Sequence, residues 1–117
     1  MSRWLAPEII EGKVNESKEA DVFAFGMVVV EVFTGKIPFA EFGSDEIRNL
    51  FVSLRISKGV TPEKPGKIPE GMWGFLKRCW EKNVKERPQI GDVVEAWPRL
   101  VETSAPVKSW ASASEPR

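Results

Sequence analysis

Acidic side chains and a single thiol are among the groups in this chain whose types could take part in catalysis or bind a metal. The 117 residues include no histidine, so the usual general base near neutral pH and the commonest zinc ligand are both missing. This absence excludes Ser/His/Asp and Cys/His triads. Aspartate occurs only at Asp21, Asp45 and Asp92, and cysteine only at Cys79. One cysteine cannot form an intrachain disulfide or a metal-binding cluster, which favours a reducing compartment.

Composition and charge narrow the class of protein further. Lys plus Arg number 17 and Asp plus Glu also number 17, and this zero net charge argues against a nucleic-acid partner and an anionic membrane. The longest apolar run, Val22 to Val30, has about half the length that a membrane-spanning helix needs. The first residues contain no apolar core typical of a signal peptide. We expect an intracellular, cytoplasmic protein without a membrane partner.

The sequence predicts four helices, and the first two contain the longest apolar segments. The first covers Lys18–Thr34, with Ser17 or Asn15 as N-cap and Gly35 at its end. It is apolar on nearly every face, which is typical of a helix at the centre of a domain. The second begins at Ser44, and its apolar residues repeat at helical spacing: Ile47, Leu50, Phe51 and Leu54.

The second half of the chain predicts two further helices after a loop rich in proline and glycine, from Ser57 to Gly71. The third helix covers residues 70–82, and its apolar stripe is Met72, Phe75, Leu76, Cys79 and Trp80. The fourth opens with Pro88, is disturbed by Pro98, and is expected to bury Ile90, Val93, Val94 and Trp97. Residues 102–117 are rich in Ser, Ala and Pro, which predicts a disordered tail.

Three short motifs occur in a fixed order along these elements. They are Arg3-Trp4-Leu5-Ala6-Pro7-Glu8, then Asp21-Val22-Phe23-Ala24-Phe25-Gly26, then Cys79-Trp80 followed by Arg87-Pro88. Together they resemble the C-terminal lobe of the eukaryotic protein kinase domain. The form of the first motif and the Cys-Trp pair are most similar to the tyrosine-kinase-like branch, whose members mostly phosphorylate Ser and Thr. The resemblance covers residues 1–101 and implies a mainly α, incomplete kinase lobe.

The resemblance implies a structural role for each motif. Ala6, Pro7 and Glu8 would end the activation segment, and Glu8 would pair with Arg87, whose planar fork suits a carboxylate. The alternative is two solvated surface charges. The segment from Asp21 to Gly26 would begin the central helix, with Asp21 accepting backbone hydrogen bonds from a catalytic loop. Asp21 also suits the first turn of any helix. Trp80 belongs to the motif that closes the domain.

A possible substrate-docking role falls on Trp4 and Leu5. In the family, the matching segment packs beside the substrate residue that follows the phosphorylated one. Aromatic and aliphatic residues at these positions also serve as core, and the core interpretation is favoured. Two departures from the family pattern, Val84 in place of Pro and Ala20 in place of Ser, are mild.

The motifs that perform phosphoryl transfer are missing from the sequence. It contains no Gly-rich loop, no Val-Ala-x-Lys, no His-Arg-Asp and no Asp-Phe-Gly. Met1 stands where the family has a small hydroxyl residue. A full-length family member would use ATP and magnesium to phosphorylate protein hydroxyls, whereas this chain alone is expected to be inactive, with no catalytic, cofactor-binding or metal-binding residue. We expect a truncated gene product or part of a longer kinase.

The alternative hypothesis is a noncatalytic, kinase-lobe-like module that binds a protein partner. The second helix and the Pro-rich loop after it would bind the partner, with Ile47, Phe51 and Leu54 as anchors. Simple core packing of these three side chains is the favoured interpretation. A small helical domain unrelated to kinases would require the three motifs to coincide by accident. In an incomplete lobe, the central helix is expected to keep exposed apolar surface.

Overall fold

Helices make up all of the regular secondary structure that is described for this chain. The computed structural model describes residues 2–102. The α-helices are α1 (Pro7–Ile10), α2 (Lys18–Thr34), α3 (Glu46–Ser57), α4 (Glu70–Cys79) and α5 (Ile90–Glu102), and single 3₁₀ turns form at Ser2–Trp4, Ala40–Phe42 and Val84–Glu86. Over these residues the fold is mainly α, as the sequence predicts.

The central helix α2 has the bounds that the sequence predicts. The Ser17 hydroxyl oxygen accepts a hydrogen bond from the backbone nitrogen of Ala20 at 3.0 Å, which caps the helix start. At the other end Gly35 takes a left-handed φ of 69°, a conformation that glycine adopts without a steric penalty. Helices α4 and α5 and the first and third 3₁₀ turns pack against α2. The buried residues of α2 are Ala20, Val22, Phe23, Gly26, Met27, Val29, Val30 and Phe33.

One face of α2 is not covered by the other described residues. Val28 is 46% exposed and Val32 is 66% exposed, and their spacing of four places them on the same side of the helix. The central helix therefore keeps exposed apolar surface, as the sequence analysis expects.

Helix α3 buries a different face from the apolar stripe that the sequence predicts. Its buried residues are Val52, Ser53 and Ile56, which lie on the side of α3 that packs against α1 and the first 3₁₀ turn. Most of the predicted stripe faces solvent, with exposed fractions of 80% for Ile47, 62% for Leu50, 43% for Phe51 and 55% for Leu54. The preference for core packing of these residues was therefore wrong. The N-cap is Asp45, one residue later than predicted.

Helix α4 follows the loop at residues 58–69 and packs one face on α2. It ends at Cys79, three residues earlier than predicted, and buries Met72, Trp73, Leu76 and Cys79. Trp80 follows directly, and its ring meets the Trp73 ring edge to face, with centroids 5.3 Å apart. The end of α4 is thus anchored in the core by aromatic packing.

Helix α5 buries only part of the face that the sequence predicts. Val93 is buried and the Trp97 ring packs edge to face on Phe25 at 5.1 Å, but Ile90 is 50% exposed and Val94 is 68% exposed. Burial of these two residues was a wrong prediction, because α2 covers only the neighbouring side. The helix also continues through Pro98. Proline removes the hydrogen bond to the Val94 carbonyl, which lies on an exposed stretch where water can satisfy it.

The predicted disordered tail lies almost entirely outside the described residues. Its first residue, Glu102, is the last residue of α5, and residues 103–117 are not described. Within residues 2–102, no helix has the length and apolar character needed to cross a membrane.

Candidate functional site

Glu8 and Arg87 form a buried ion pair that joins the two ends of the fold. One Arg87 Nη donates to Glu8 Oε2 at 2.6 Å and the other donates to Oε1 at 2.8 Å, so the pair is bidentate. The Arg87 side chain has no exposed surface and that of Glu8 is 12% exposed. The alternative of two solvated surface charges is therefore wrong, and the predicted pair is present.

Local structure on both sides holds this pair in place. Pro7 occupies the first turn of α1 after the fully buried Ala6, which brings Glu8 into the first helical turn. Arg87 follows the 3₁₀ turn Val84–Glu86. Its remaining donors reach two backbone carbonyls, Glu81 at 2.7 Å and Glu19 at 3.0 Å. The guanidinium therefore connects α1, the start of α2 and the residues that follow α4.

The electrostatics of Glu8 follow from this geometry. Burial opposes ionisation of the carboxyl, but the hydrogen bonds and charge of Arg87 outweigh it, so the pKa of Glu8 lies below its ordinary value of 4.5. The Arg87 guanidinium also lies 5.1 Å from the centroid of the Phe23 ring, a cation–π contact with the central helix. The pair is thus charged near neutral pH and packed on the core.

Gly26 and Trp80 meet where α2 passes the end of α4. A Cβ on Gly26 would lie 2.5 Å from Trp80 Nε1 and 3.3 Å from the Cβ of Cys79. The indole nitrogen of Trp80 is buried and donates no hydrogen bond to the described residues. The glycine is therefore required by close packing rather than by an unusual backbone angle.

A second buried arginine, Arg3, was not singled out by sequence reasoning. It is 2% exposed, and its Nε donates to Asn49 Oδ1 at 2.9 Å. Its Nη atoms donate to the carbonyls of Pro38 at 3.0 Å, Phe39 at 2.8 Å and Gly43. The only signal in the sequence is a charged residue beside an apolar motif. Arg3 fixes the segment before Glu8 to the loop that joins α2 and α3.

Trp4 and Leu5, the possible substrate-docking residues, lie between these two arginine networks. Trp4 is partly buried against the core, and its indole nitrogen donates to Glu31 Oε1 of α2 at 3.1 Å. Leu5 is half-buried. Their docking role stays a prediction.

The three aspartates lie apart on different helices. Asp21 is exposed in the first turn of α2, Asp45 caps α3 and pairs with Arg48 at 2.6 Å, and Asp92 accepts from the backbone nitrogen of Gln89. Within residues 2–102, no three His, Cys, Asp or Glu side chains are grouped to hold a metal. The hydrogen bonds from a catalytic loop that the resemblance implies for Asp21 stay a prediction.

Comparison with known proteins agrees with this geometry. The family model of protein tyrosine and serine/threonine kinases matches residues 1–97. The chain is 40% identical over 92 residues to a protein of Acanthamoeba polyphaga mimivirus named as a serine/threonine-protein kinase/receptor, which covers 79% of this chain and 5% of the viral protein. It is 32% identical over 98 residues to human mitogen-activated protein kinase kinase kinase 7, which covers 84% of this chain and 16% of that protein.

The chain thus spans about a sixth or less of these relatives' lengths. The family match includes the Ala-Pro-Glu segment, the central helix and the Arg87 pair within one alignment. The helical fold and this match together show that the chain belongs to the protein tyrosine and serine/threonine kinase family and represents part of its C-terminal helical lobe.

Proposed function

We propose that this chain supplies the structural part of a kinase lobe that holds the end of the activation segment, and that it does not transfer phosphate on its own. The proposed lack of phosphate transfer rests on the separation of Asp21, Asp45 and Asp92. Phosphoryl transfer requires a carboxylate for the substrate hydroxyl together with metal-binding and phosphate-binding groups in one cleft. Among the described residues, no three His, Cys, Asp or Glu side chains are grouped to hold a metal.

The holding role rests on the two buried arginines. Arg3 binds the loop after α2, and Arg87 binds Glu8, so the segment from Arg3 to Glu8 is attached at both ends. In a complete kinase of this family, that segment would support transfer of the ATP γ-phosphate to a protein hydroxyl. Trp4 and Leu5 would then contact the substrate residue after the phosphorylated one.

Phosphate transfer and nucleotide binding test the proposed inactivity directly. The purified chain is incubated with magnesium, γ-labelled ATP and a generic protein substrate, beside a heat-treated sample and a complete kinase domain as positive control. We expect no label above the heated sample and no saturable nucleotide binding. Transfer that persists with inhibitors of contaminating kinases would overturn this part of the proposal.

A second candidate function is a noncatalytic protein-binding module, and the exposure of α3 favours it. Ile47, Phe51 and Leu54, the proposed anchors, are 80%, 43% and 55% exposed, so they are accessible to a partner. A random peptide-display library selected on the chain tests this candidate. Enriched peptides should bind the wild-type chain at least tenfold more tightly than Leu54→Asp. Val94→Asp changes another exposed apolar residue, on α5; this variant is the matched control and should bind normally.

An intracellular, cytoplasmic location belongs to the same proposal. Cys79 is a buried free thiol, and desolvation raises its pKa to about 12. The fold thus uses this cysteine as a small apolar core group, which suits a reducing compartment.

A further inference from the structure

The exposed apolar side chains of α3 form a continuous row beside a cationic group. The row consists of Ile47, Leu50, Phe51 and Leu54, and we call it the α3 row. Residues three and four apart share one side of a helix, so these four side chains form a single strip. Arg55 directly follows the last of them and flanks the strip near the end of α3.

Arg55 is held in place by aromatic rings. Its guanidinium carbon lies 5.3 Å from the centroid of the Phe51 ring and 5.7 Å from that of Phe42. These two rings pack at 5.5 Å from each other. Each distance is within the range of a cation–π contact. Arg55 is therefore orientated before any partner arrives, which reduces the entropy that binding would cost.

The charge of Arg55 is not neutralised within the described part of the chain. It forms no ion pair there, and its Nε is buried without a hydrogen-bond acceptor. The other arginine of α3, Arg48, differs because it pairs with Asp45 at 2.6 Å. Arg55 as a whole is half-buried rather than buried, so a carboxylate delivered by a partner could pair with its guanidinium charge.

The surroundings make this end of the α3 row positive. Lys58, the C-cap residue of α3, lies one turn after Leu54 and Arg55. The acidic residue of the helix, Glu46, lies at the opposite end, in the first turn. Glu41 and Glu63 line a cleft together with Phe42, and neither pairs with Arg55. The strip thus ends in two cations.

We propose that the α3 row binds an apolar peptide segment of a partner protein, and that an acidic side chain of this segment pairs with Arg55. This inference rests on the docking function proposed above and specifies its partner. A carboxylate is favoured over a phosphate, because the carbonyls at the C-terminal end of α3 carry partial negative charge that repels a dianion more strongly. Apolar anchors on Phe51 and Leu54 would exclude water from the ion pair.

Peptides selected from the random library provide the probe. Each enriched peptide is synthesised with its acidic residues intact and with Asp→Asn or Glu→Gln replacements. Dissociation constants are measured by fluorescence polarisation on the wild-type chain, Arg55→Gln and Arg48→Gln. Arg48 is the matched control, since it lies on the same helix but is already paired. Circular dichroism verifies the fold of each variant.

We expect acidic residues beside the apolar anchors in the enriched peptides, and an affinity about tenfold weaker for Arg55→Gln. The Arg48→Gln change should be less than twofold. The neutralised peptides should bind the wild-type chain about tenfold more weakly than their acidic parents, and should not distinguish it from Arg55→Gln. This peptide-side comparison stands even where Arg55→Gln fails to fold.

The outcomes separate the partner chemistry from the docking function. Peptides that depend on Leu54 but show neither acidic enrichment nor sensitivity to Arg55 would overturn the carboxylate pairing and leave the docking surface standing. Tenfold tighter binding of a phosphoserine version would replace the carboxylate with a phosphate and also overturn it. A library without any peptide sensitive to Leu54→Asp would refute the docking function, and the inference with it.

Discussion

Removing either member of the Glu8–Arg87 pair should destabilise the whole fold, because the pair connects residues 79 positions apart. The perturbations are Glu8→Ala, Arg87→Ala and the double variant, with Arg87→Lys as a finer change. Neither side chain can reach bulk water easily, since Arg87 is fully buried and Glu8 is 12% exposed. A charge that loses its partner here cannot be rehydrated without opening the structure.

The magnitude follows from what each variant leaves behind. Without Glu8, Arg87 keeps only the carbonyls of Glu81 and Glu19 as acceptors, and its charge is uncompensated. Without Arg87, the carboxylate and both carbonyls lose their donor, and the contact with the Phe23 ring disappears. Breaking a buried pair from one side costs roughly 3–5 kcal/mol. A domain of this size is stable by only about 5–15 kcal/mol, so each single variant should lose a large fraction of the free energy of unfolding.

Urea unfolding followed by tryptophan fluorescence and far-UV circular dichroism measures these effects. The matched control is Arg48→Ala, which removes an ion pair whose two side chains are each 57% exposed and should destabilise the fold far less than Glu8→Ala or Arg87→Ala. The double variant should be little less stable than either single variant, because the second substitution removes a group that has already lost its partner. Lysine at position 87 cannot reproduce two parallel hydrogen bonds and should recover only part of the loss.

Two results would refute this reasoning. Single variants that stay within about 1 kcal/mol of the wild type would behave as surface pairs do. Additive losses of stability in the double variant would show that Glu8 and Arg87 contribute independently. Their hydrogen-bonded contact would then not stabilise the fold as a coupled pair.

Three further outcomes are expected in the same unfolding assay. Because the pKa of Glu8 is lowered in the fold, the free energy of unfolding should fall as pH drops from about 4.5 towards the folded-state pKa. Glu8→Gln should make stability less dependent on pH in this acidic range. An unchanged pH dependence in this variant would contradict the assignment. Gly26→Ala should lower the free energy of unfolding by roughly 1–3 kcal/mol, because the added Cβ overlaps Trp80. Gly74→Ala, whose added Cβ meets nothing within 4 Å, should raise it by up to about 1 kcal/mol. Equal effects of the two changes would argue against tight packing at Gly26. Arg3→Lys should lose about 1–3 kcal/mol, since one ammonium cannot reach four acceptors, and a loss under 0.5 kcal/mol would refute that view.

Helix α2 could be predicted from the sequence because its signals are local. Ser17 and Gly35 act within one turn of the helix ends, and the apolar residues between them cover nearly every face. The Glu8–Arg87 pair is not local, and the spacing of residues alone does not reveal it. It was predicted through the resemblance of the motifs around both residues to one family.

Which face of an amphipathic helix is buried is harder to predict than the presence of the helix. The α3 stripe predicts a helix correctly, but periodicity does not say which neighbour covers which face. Here the side that carries Val52 and Ile56 is covered, and the side that carries Ile47 faces solvent. The exposed Val94 of α5 has the same explanation.

The Arg3 network could not be predicted for a different reason. Its acceptors are mainly backbone carbonyls, which every residue has, and they lie 35 to 40 positions away. Their convergence depends on the loop at residues 38–43, where Phe39 takes a left-handed φ of 58° that non-glycine residues rarely adopt. A hydrophobic pattern contains no information about such a turn.

The two arginines attach one short segment by means that respond differently to conditions. The acceptors of Arg3 are neutral amide oxygens, so this attachment has no titrating partner. Arg87 depends on the ionised Glu8, and acid therefore weakens only that end. Since α1 begins at Pro7 and packs on α3, protonation of Glu8 would weaken the link between α1 and the start of α2, while Arg3 still holds the preceding residues. The segment is thus attached by Arg3 independently of pH and by Arg87 only while Glu8 is ionised.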